Sequence, residues 1–363
     1  MEKPFKIGIW SYKNGSYNDG GAFSYAKKMQ QILLTSDFGS EFELVSVGYE
    51  VDTTDNTAVW LKPIYQKPAL RLIYSTLLRI PFIGSSISKR IKRKYDNKLI
   101  KQLKEAEIEL IYYVQPGVVF YNFPHIATVW DNGHLSTYAF PEVSMHGTLE
   151  SRLENALINL NKALLICSES IAGKLELQKH FGFNIEKVMV VPMIASEVIS
   201  PTILPTPVDL PKNDGFFFYP AKYWPHKNHY HLIKAFSIFS KKYPEVKLIL
   251  TGYHQNNKQY IDECIKQQNL EDKVIQLGVV SVEQLKWLYL NSKGMIMTTL
   301  LGPTNMPLME AYYLNCKVLC SNLEGHQEQL GNYGRYFDAL DDTDIANKLE
   351  LTYLDHTPTI GKD

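Results

Sequence analysis

The segment with the strongest capacity for chemistry is 219–229 (YPAKYWPHKNH), which carries two lysines, Lys222 and Lys227. It leaves one predicted strand through a loop and enters a predicted helix. A pair of ammonium groups at such a helix entrance can neutralise a diphosphate leaving group, which otherwise carries the whole developing charge. Two lysines in a surface loop usually have no such role. The aromatic and proline residues around these two, however, indicate a loop of defined shape.

A second segment, 301–322 (LGPTNMPLMEAYYLNCKVLCSN), combines a turn with a helix start. Gly302 to Asn305 are predicted to form the turn, and Pro307 suits the first turn of the helix that follows. We expect backbone N–H groups around Asn305 and Met306 to point at a phosphate. Glu310, one turn into the helix, is then expected to point at ribose hydroxyls.

Two further segments give weaker signals. Gly20 and Gly21 lie between the first predicted strand and the first long helix, where backbone N–H groups could approach an anion. The alternative is an ordinary βα loop, and the absence of GxGxxG spacing counts against a dinucleotide site. In VWDNGH (129–134), Asp131 could hold sugar hydroxyls and His134 could assist proton movement. Such an isolated pair is more often loop structure than catalysis.

The elements that must position these segments are short apolar strands alternating with helices. This alternation predicts mostly parallel sheets covered by helices on both faces. A stretch with four prolines, 196–215, has the composition of a linker. We therefore predict an α/β protein of two doubly wound domains that face each other across a cleft. Their predicted limits are 1–200 and 213–340, followed by a C-terminal helix and tail at 341–363. The predicted strands are 5–11, 42–49, 109–114, 125–131, 163–168, 216–221, 246–252, 273–278, 294–299 and 317–321.

Composition narrows the class of function. The 38 Lys and Arg balance the 38 Asp and Glu, so the net charge gives no support for nucleic-acid binding. The four cysteines have no close CxxC pairing, which argues against a disulfide framework and a zinc ribbon. The N-terminal apolar stretch is too short for a signal peptide, and no run reaches the roughly 18 apolar residues of a membrane span. We expect a cytoplasmic protein.

The zero net charge hides a basic segment. Between Lys62 and Lys104 there are twelve Lys and Arg but a single acid, Asp96, and the apolar stretch 70–84 lies beside them. Basic residues next to apolar side chains suit an anionic membrane surface. A solvated helix face is the alternative, and nucleic acid is a weaker one because no stacking-aromatic motif accompanies the charge. The residues expected at the membrane surface are Lys89, Arg90, Lys92, Arg93 and Lys94.

Together with FPEV (140–143) and EQLGNYGRYFD (328–338), these segments resemble glycosyltransferase family four. The resemblance is strongest to the bacterial branch that builds O-antigen and other surface polysaccharides. It implies the GT-B fold, a nucleotide-sugar donor held mainly by the C-terminal domain, and transfer with retention at the anomeric carbon. It also implies neither a metal nor a cofactor. In agreement, the sequence has no convincing DxD motif, and the acidic run 341–344 is typical of a solvated helix start.

The resemblance also implies roles for individual residues. Lys222 and Lys227 match the basic pair on the donor diphosphate, and Glu310 matches the second glutamate of the E-x7-E motif. Asn305 and Met306 match the backbone phosphate loop. Gly20 and Gly21 match an N-terminal loop that faces the donor phosphates.

Two positions depart from the family pattern. The first glutamate of E-x7-E falls at Gly302, and the family's His-Asp pair is replaced by Trp130-Asp131, with His134 three residues later. We interpret both as marks of a subtype. A degenerate member without activity is the other interpretation.

The sequence thus predicts a retaining, metal-independent hexosyltransferase. It would move a hexose or deoxyhexose, with mannose and rhamnose as first candidates, onto a polyprenyl-linked glycan at the cytoplasmic face of the inner membrane. In such a reaction no protein nucleophile is expected, because the acceptor hydroxyl attacks on the face that the phosphate leaves. Three alternatives stay open: a GT-B sugar-nucleotide epimerase, a non-catalytic protein that binds glycan or a partner, and a two-domain solute-binding protein.

Overall fold

The computed structural model describes residues 3–11, 21–49, 58–62, 84–130, 132–136, 140–145, 147–212 and 214–357. They fall into two compact units. The first is Met1–Val129 with Asn155–Cys167, and the second is Trp130–Glu154 with Ser168–Asp363. The predicted limits place residues 168–200 in the first domain. In the structure, the contacts of this segment group it with the second unit. One reason is Glu328, whose carboxylate accepts the N–H groups of Ile171 and Ala172.

Seven strands build the first sheet: β1 (Phe5–Trp10), β2 (Phe42–Tyr49), β3 (Val59–Leu61), β4 (Leu110–Tyr112), β5 (His125–Val129), β6 (Leu165–Ser168) and β7 (Val188–Val190). Their order is β3-β2-β1-β4-β5-β6-β7. The pairs of β1 with β2 and with β4 are parallel. Within the described ranges of this part of the chain, the α-helices are α1 (Gly21–Thr35), α2 (Gly84–Glu105), α3 (Gly133–Ser136), α4 (Pro141–Ser144), α5 (Thr148–Lys162) and α6 (Ile171–Phe181).

The core of the first unit is built around Trp10, at the end of β1. Its ring meets Tyr49 and Phe120 edge to face, with centroid distances of 5.3 and 5.5 Å. The C-terminal half of α2 adds Leu99 and Leu103, both buried in the same cluster. Burying each such side chain stabilises the fold by about 1.5–3 kcal/mol. These two leucines therefore fix the end of the basic helix α2 to the sheet.

Six strands build the second sheet: β8 (Phe216–Pro220), β9 (Lys247–Thr251), β10 (Val274–Gly278), β11 (Gly294–Met297), β12 (Val318–Ser321) and β13 (Gly334–Phe337). Their order is β10-β9-β8-β11-β12-β13, and all the pairs are parallel. The helices are α7 (His229–Lys242), α8 (Lys258–Gln267), α9 (Val282–Asn291), α10 (Met306–Tyr313), α11 (Glu324–Leu330) and α12 (Asp342–Leu354).

The four central strands of the second sheet are almost wholly buried. Phe217 and Phe218 in β8, Leu248 in β9, Ile296 in β11 and Leu319 in β12 are fully buried. Continuous burial of this kind is typical of a parallel sheet with helices on both faces. The predicted α/β class with parallel sheets is confirmed.

The strand order identifies where a ligand would bind in the second unit. In chain order the sheet runs third, second, first, fourth, fifth, sixth, so the direction of winding reverses between β8 and β11. Open α/β sheets bind ligands at the carboxyl ends of the strands on either side of this reversal. The loops after β8 and β11 carry the two strongest sequence candidates, 219–229 and 301–322.

The acidic run 341–344 begins a helix, as predicted. Asp341 is the N-cap of α12, and its carboxylate accepts the N–H groups of Thr343 and Asp344. The next residue, Asp342, accepts a hydrogen bond of 2.7 Å from His231 on α7. The end of the described chain is therefore fixed to the helix that follows the lysine loop.

Candidate functional site

The loop that carries Lys227 is clamped to the sheet by its backbone. A single 3₁₀ turn, Pro225–Lys227, ends at Asn228, which adopts φ +56°. Asparagine visits this left-handed region more readily than most residues. The carbonyl of Lys227 accepts the hydroxyl of Tyr219 at 2.9 Å and that of Thr298 at 3.2 Å. Groups at the ends of β8 and β11 thus hold the turn from both sides.

Lys222 lies on the same loop in different surroundings. Its ammonium is 5.7 Å from the centre of the Tyr253 ring, within range of a cation–π interaction. The chain can pass here because Gly252 has φ +122°, and a Cβ on it would lie 2.5 Å from the carbonyl oxygen of Ala221. The loop after β8 therefore depends on a glycine in the loop after β9.

Lys227 is held at its ammonium by a chain of buried groups. Lys227 Nζ donates to Asn305 Oδ1 at 2.9 Å, and Asn305 Nδ2 donates to His326 Nε2 at the same distance. His326 Nδ1 in turn donates to the backbone carbonyl of Ser321 at 2.8 Å. His326 is fully buried. The chain brings together Lys227 and Asn305, two of the predicted site residues.

The turn before α10 is built on two close backbone approaches. Gly302 adopts φ +104°, a conformation that side chains other than glycine rarely take. A Cβ on Gly325, in α11, would lie 1.4 Å from the carbonyl oxygen of Pro303. The turn conformation therefore gives a local reason why the first glutamate of the family motif is absent at position 302. The predicted helix after the turn is present as α10, with Pro307 in its first turn.

The backbone of Asn305 is paired with a side chain. Its N–H donates to Gln329 Oε1 at 2.9 Å, and Gln329 Nε2 donates back to its carbonyl at 3.2 Å. This N–H is one of those expected to point at a phosphate. The phosphate contacts of Asn305 and Met306 stay predictions.

Glu310 lies inside the unit, where it is 5% exposed. Its Oε2 accepts the hydroxyl of Tyr289 at 2.8 Å. Burial raises the pKa of Glu310, although hydrogen bonds from Ser196 and Tyr289 act in the opposite direction. The predicted contact of Glu310 with ribose hydroxyls stays a prediction.

A carboxylate that sequence reasoning did not single out reaches the lysine turn. Glu142, in α4, accepts at Oε1 both the backbone N–H and the ring Nδ1–H of His226, at 3.1 and 2.5 Å. Burial acts to raise the pKa of Glu142, but the hydrogen bonds from His226 outweigh it, so this pKa is lowered. The only sequence signal was FPEV, which contributed to the resemblance without a role for its glutamate.

A second histidine of the turn is buried without partners. His229 is 1% exposed, and neither ring nitrogen has a hydrogen-bond partner among the described residues. The rings of Tyr219 and Tyr223 lie 5.0 and 4.8 Å from it. Burial first, and then the charges of Lys227 and His226, lower the pKa of His229 to about 3. This residue is therefore a neutral imidazole in the folded protein.

Two predicted residues lie outside the described part of the chain. These are Gly20 and Asp131. His134 lies in α3, but its side chain is not described. Gly21 is the first residue of α1. Of the predicted membrane-facing residues, Lys94 is exposed on α2, and the side chains of Lys89, Arg90, Lys92 and Arg93 are not described. No helix within the described ranges is both long and apolar enough to cross a bilayer.

The fold defines a class of architecture. A parallel sheet whose direction of winding reverses is typical of a Rossmann-like unit. Solved structures share this fold, and one of them is described as a glycosyltransferase. One from Rickettsia africae is 16% identical, covers 97% of this chain and 89% of its own, and has a TM-score of 0.63. Anabaena Alr3699/HepE, solved with UDP and glucose, is 17% identical, covers 98% and 91%, and has a TM-score of 0.62. The fold is GT-B.

Sequence comparison finds similar proteins for part of the chain. Residues 203–357 match the family described as Glycosyl transferases group 1. O-antigen chain mannosyltransferase B of Escherichia coli is 24% identical over 246 residues, which are 63% of this chain and 62% of that protein. O-antigen chain mannosyltransferase RfbU of Salmonella typhimurium is 26% identical over 131 residues, 36% of each chain. The matched regions thus span less than two thirds of either relative. The matches are similar in kind to the motifs that resemble glycosyltransferase family four and its O-antigen branch.

Proposed function

We propose that this protein is a retaining, metal-independent hexosyltransferase whose second unit binds a nucleotide diphosphate sugar. One observation carries the proposal. Lys227 Nζ is held at Asn305, immediately before α10, on the two loops that flank the reversal of winding in the second sheet. An ammonium fixed at that place suits a diphosphate, whose two phosphates need compensating positive charge.

The chemistry proposed for the site is electrostatic. An acceptor hydroxyl attacks the anomeric carbon on the face from which the diphosphate departs, and the departing phosphate oxygen takes the hydroxyl proton. As the carbon–oxygen bond to the diphosphate breaks, negative charge grows on the leaving group. Lys222 and Lys227 stabilise that charge, and a preorganised cation does so without reorganising at the moment of reaction.

The identity of the transferred sugar and the class of the acceptor are also proposed. The two curated relatives are named as mannosyltransferases of O-antigen chains, and Alr3699/HepE was solved with UDP and glucose. We take mannose first and rhamnose second as the sugar transferred, and a polyprenyl-linked glycan as the acceptor. Thermal-shift measurements with GDP-mannose, dTDP-rhamnose and UDP-glucose select the donor.

The test of the proposal is Lys227→Ala, assayed for transfer to a lipid-linked glycan acceptor with the selected donor. Removing one preorganised charge partner of a leaving group costs about 10²–10³-fold in rate. We therefore expect transfer to fall at least about a hundredfold while the circular dichroism spectrum is unchanged. Product analysis should show a new glycoside, whereas an epimerase would convert the nucleotide sugar without acceptor.

Lys241→Ala is the matched control, because Lys241 is an exposed lysine of α7, the helix that follows the turn. This variant should transfer at the rate of the unchanged protein. Near-normal transfer by Lys227→Ala would contradict the assignment of the diphosphate to this turn.

A further inference from the structure

The carboxylate of Glu142 is fixed at one oxygen and unpartnered at the other. The side chain is 7% exposed, and Oε1 accepts both hydrogen bonds from His226. Oε2 is buried and has no hydrogen-bond partner among the described residues. Two bonds to one residue leave the carboxylate a single orientation. Oε2 is therefore held in place without a partner.

The charge of Glu142 makes this arrangement costly in the free protein. Although burial opposes ionisation, hydrogen bonds from His226 keep its pKa below the usual value, so the group is a carboxylate at neutral pH. Buried polar atoms in folded proteins nearly always have a partner, and a charged acceptor without one loses the most free energy. An acceptor oxygen of this kind is suited to a ligand that supplies a hydroxyl or N–H donor.

The position of His226 indicates which ligand group that is. His226 directly precedes Lys227, and its carbonyl accepts the N–H of Leu300 at 2.8 Å, which ties it to the loop after β11. The Glu142–His226 pair is thus built into the same turn as the lysine proposed to bind the diphosphate. In a nucleotide diphosphate sugar, the group attached to the diphosphate opposite the nucleoside is the sugar, which is rich in hydroxyl donors.

We infer that Glu142 Oε2 accepts a hydrogen bond from a hydroxyl of the transferred sugar, which makes Glu142 a residue of the donor site. This inference rests on the proposed function. A carboxylate repels a diphosphate, so Glu142 contributes affinity for the sugar and none for the nucleoside diphosphate. Lys227 does the opposite, since it contacts the diphosphate that both ligands share.

This difference gives the test, which compares Kd values by titration calorimetry for GDP and GDP-mannose, and for UDP and UDP-glucose. Glu142→Gln keeps the shape of the side chain and its bond from the His226 N–H. A hydrogen bond to a charged group changes affinity by about 10–100-fold. We expect the variant to lose about tenfold or more of the affinity for the nucleotide sugar. Its affinity for the nucleoside diphosphate should be unchanged or slightly higher.

Glu328→Gln is the matched control. Glu328 also accepts backbone N–H groups, those of Ile171 and Ala172, at the start of α6. Its replacement should leave the ratio between the two Kd values unchanged. Lys227→Ala should weaken both ligands by the same factor and also leave that ratio unchanged.

The unchanged protein supplies a second measurement that does not depend on the folding of a variant. GDP-mannose analogues, each lacking one sugar hydroxyl, should include one that the unchanged protein binds about tenfold more weakly than GDP-mannose. In a separate check on the variant, Glu142→Gln should bind that analogue and GDP-mannose equally. The inference is overturned if Glu142→Gln weakens nucleoside diphosphate and nucleotide sugar alike, or neither. If Lys227→Ala binds GDP and UDP as well as the unchanged protein does, the proposed function fails instead.

Discussion

The ammonium of Lys227 is oriented by the side-chain amide of Asn305. The orientation of that amide is in turn determined by His326. Because His326 Nδ1 must donate to the carbonyl of Ser321, its Nε2 is an acceptor, and the NH₂ group of Asn305 must face it. The oxygen of Asn305 is then left to face Lys227. The fixed tautomer of a buried histidine thus determines which end of the amide meets the lysine.

His226 precedes Lys227 in the chain and His229 follows it, and the two imidazole rings have different surroundings. His226 donates to a carboxylate, whereas His229 is surrounded by tyrosine rings. Burial also lowers the pKa of His326, to about 4, with a smaller contribution from the charge of Lys227. His229 and His326 are thus neutral imidazoles at neutral pH and add no positive charge beside Lys227.

The neutral imidazole of His229 predicts a dependence of stability on pH. Its pKa is about 3 in the folded protein and 6.5 in the unfolded chain, so its contribution is fully present above pH 6.5. As the pH falls below that value, the unfolded state binds a proton that the folded state does not, and stability is lost. Between pH 8 and pH 5 the loss is about 2 kcal/mol. In His229→Phe, the free energy of unfolding, measured in urea, should fall between pH 8 and pH 5 by about 2 kcal/mol less than it does in the unchanged protein.

The control for this pH effect is Tyr223→Phe, in the same aromatic cluster. Burial raises the pKa of Tyr223 above its usual value, so the phenol stays protonated throughout the range. This variant should keep the pH dependence of the unchanged protein. An identical pH dependence in His229→Phe would contradict a neutral buried His229.

At the scale of elements, α11 supports the turn before α10. Gly325 touches the backbone of Pro303, His326 bonds Asn305, and Gln329 pairs with the Asn305 backbone. These three residues lie on one helix over little more than one turn. The motif EQLGNYGRYFD (328–338) therefore contributes Gln329 to a helix face that begins at Gly325 and supports the turn before α10.

Gly325→Ala tests this support. The added Cβ would lie 1.4 Å from the carbonyl oxygen of Pro303, so the turn must move. Overpacking of this kind costs about 1–3 kcal/mol, and the displaced Asn305 should weaken binding of the selected donor. Thermal denaturation and calorimetry measure the two effects.

Gly182→Ala is the control, because Gly182 ends α6 at φ +65° with no atom within 4 Å of an added Cβ. It should lower stability by about 1 kcal/mol without affecting donor binding. Equal donor affinity in Gly325→Ala and the unchanged protein would show that the turn does not depend on this approach.

Most strands could be predicted because they are buried on both faces. The predicted strand 216–221 is β8 (Phe216–Pro220), and 294–299 is β11 (Gly294–Met297). Three strands were missed: β3, β7 and β13, each at an edge of its sheet. They have only three or four residues, and an edge strand needs one partner rather than two. Their sequences therefore lack the long apolar run that identifies a central strand.

The candidate site divides in the same way. The loop with Lys222 and Lys227 and the turn at 302–305 could be located from the sequence, since each belongs to a segment whose residue types and position after a strand carry the signal. The roles of these residues stay predictions. The contacts of Glu142 and His326 could not be located in this way. Glu142 meets His226 across 84 positions of the chain, and His326 meets Asn305 across 21. Such contacts depend on how helices pack, and no local spacing in the sequence records them.

For the whole molecule, the neutral total charge conceals a division between a basic segment and an acidic remainder. The basic cluster lies on α2, whose far end is anchored in the core by Leu99 and Leu103. Lys94 and Lys98 are exposed on that helix. A basic helix anchored at one end could present its charge to a membrane surface while the unit stays folded. We therefore keep the peripheral membrane contact as a proposal.

Replacing Lys89, Arg90, Lys92, Arg93 and Lys94 together by glutamine tests this contact. Each basic residue near anionic lipid headgroups contributes about 1 kcal/mol. The variant should therefore lose most of its sedimentation with phosphatidylglycerol vesicles at low salt. Neither protein should sediment with phosphatidylcholine vesicles. Because the buried leucines of α2 are untouched, the thermal unfolding temperature should change little.

The control is a second variant that loses the same number of positive charges outside α2. Its glutamines replace five exposed lysines of the second unit: Lys179, Lys212, Lys241, Lys242 and Lys266. If vesicle binding depends on α2 rather than on total charge, this variant should bind phosphatidylglycerol vesicles more tightly than the α2 variant does. Equal loss in both variants would mean that net charge alone attracts the protein. Undiminished binding of the α2 variant would remove the membrane role of the basic segment.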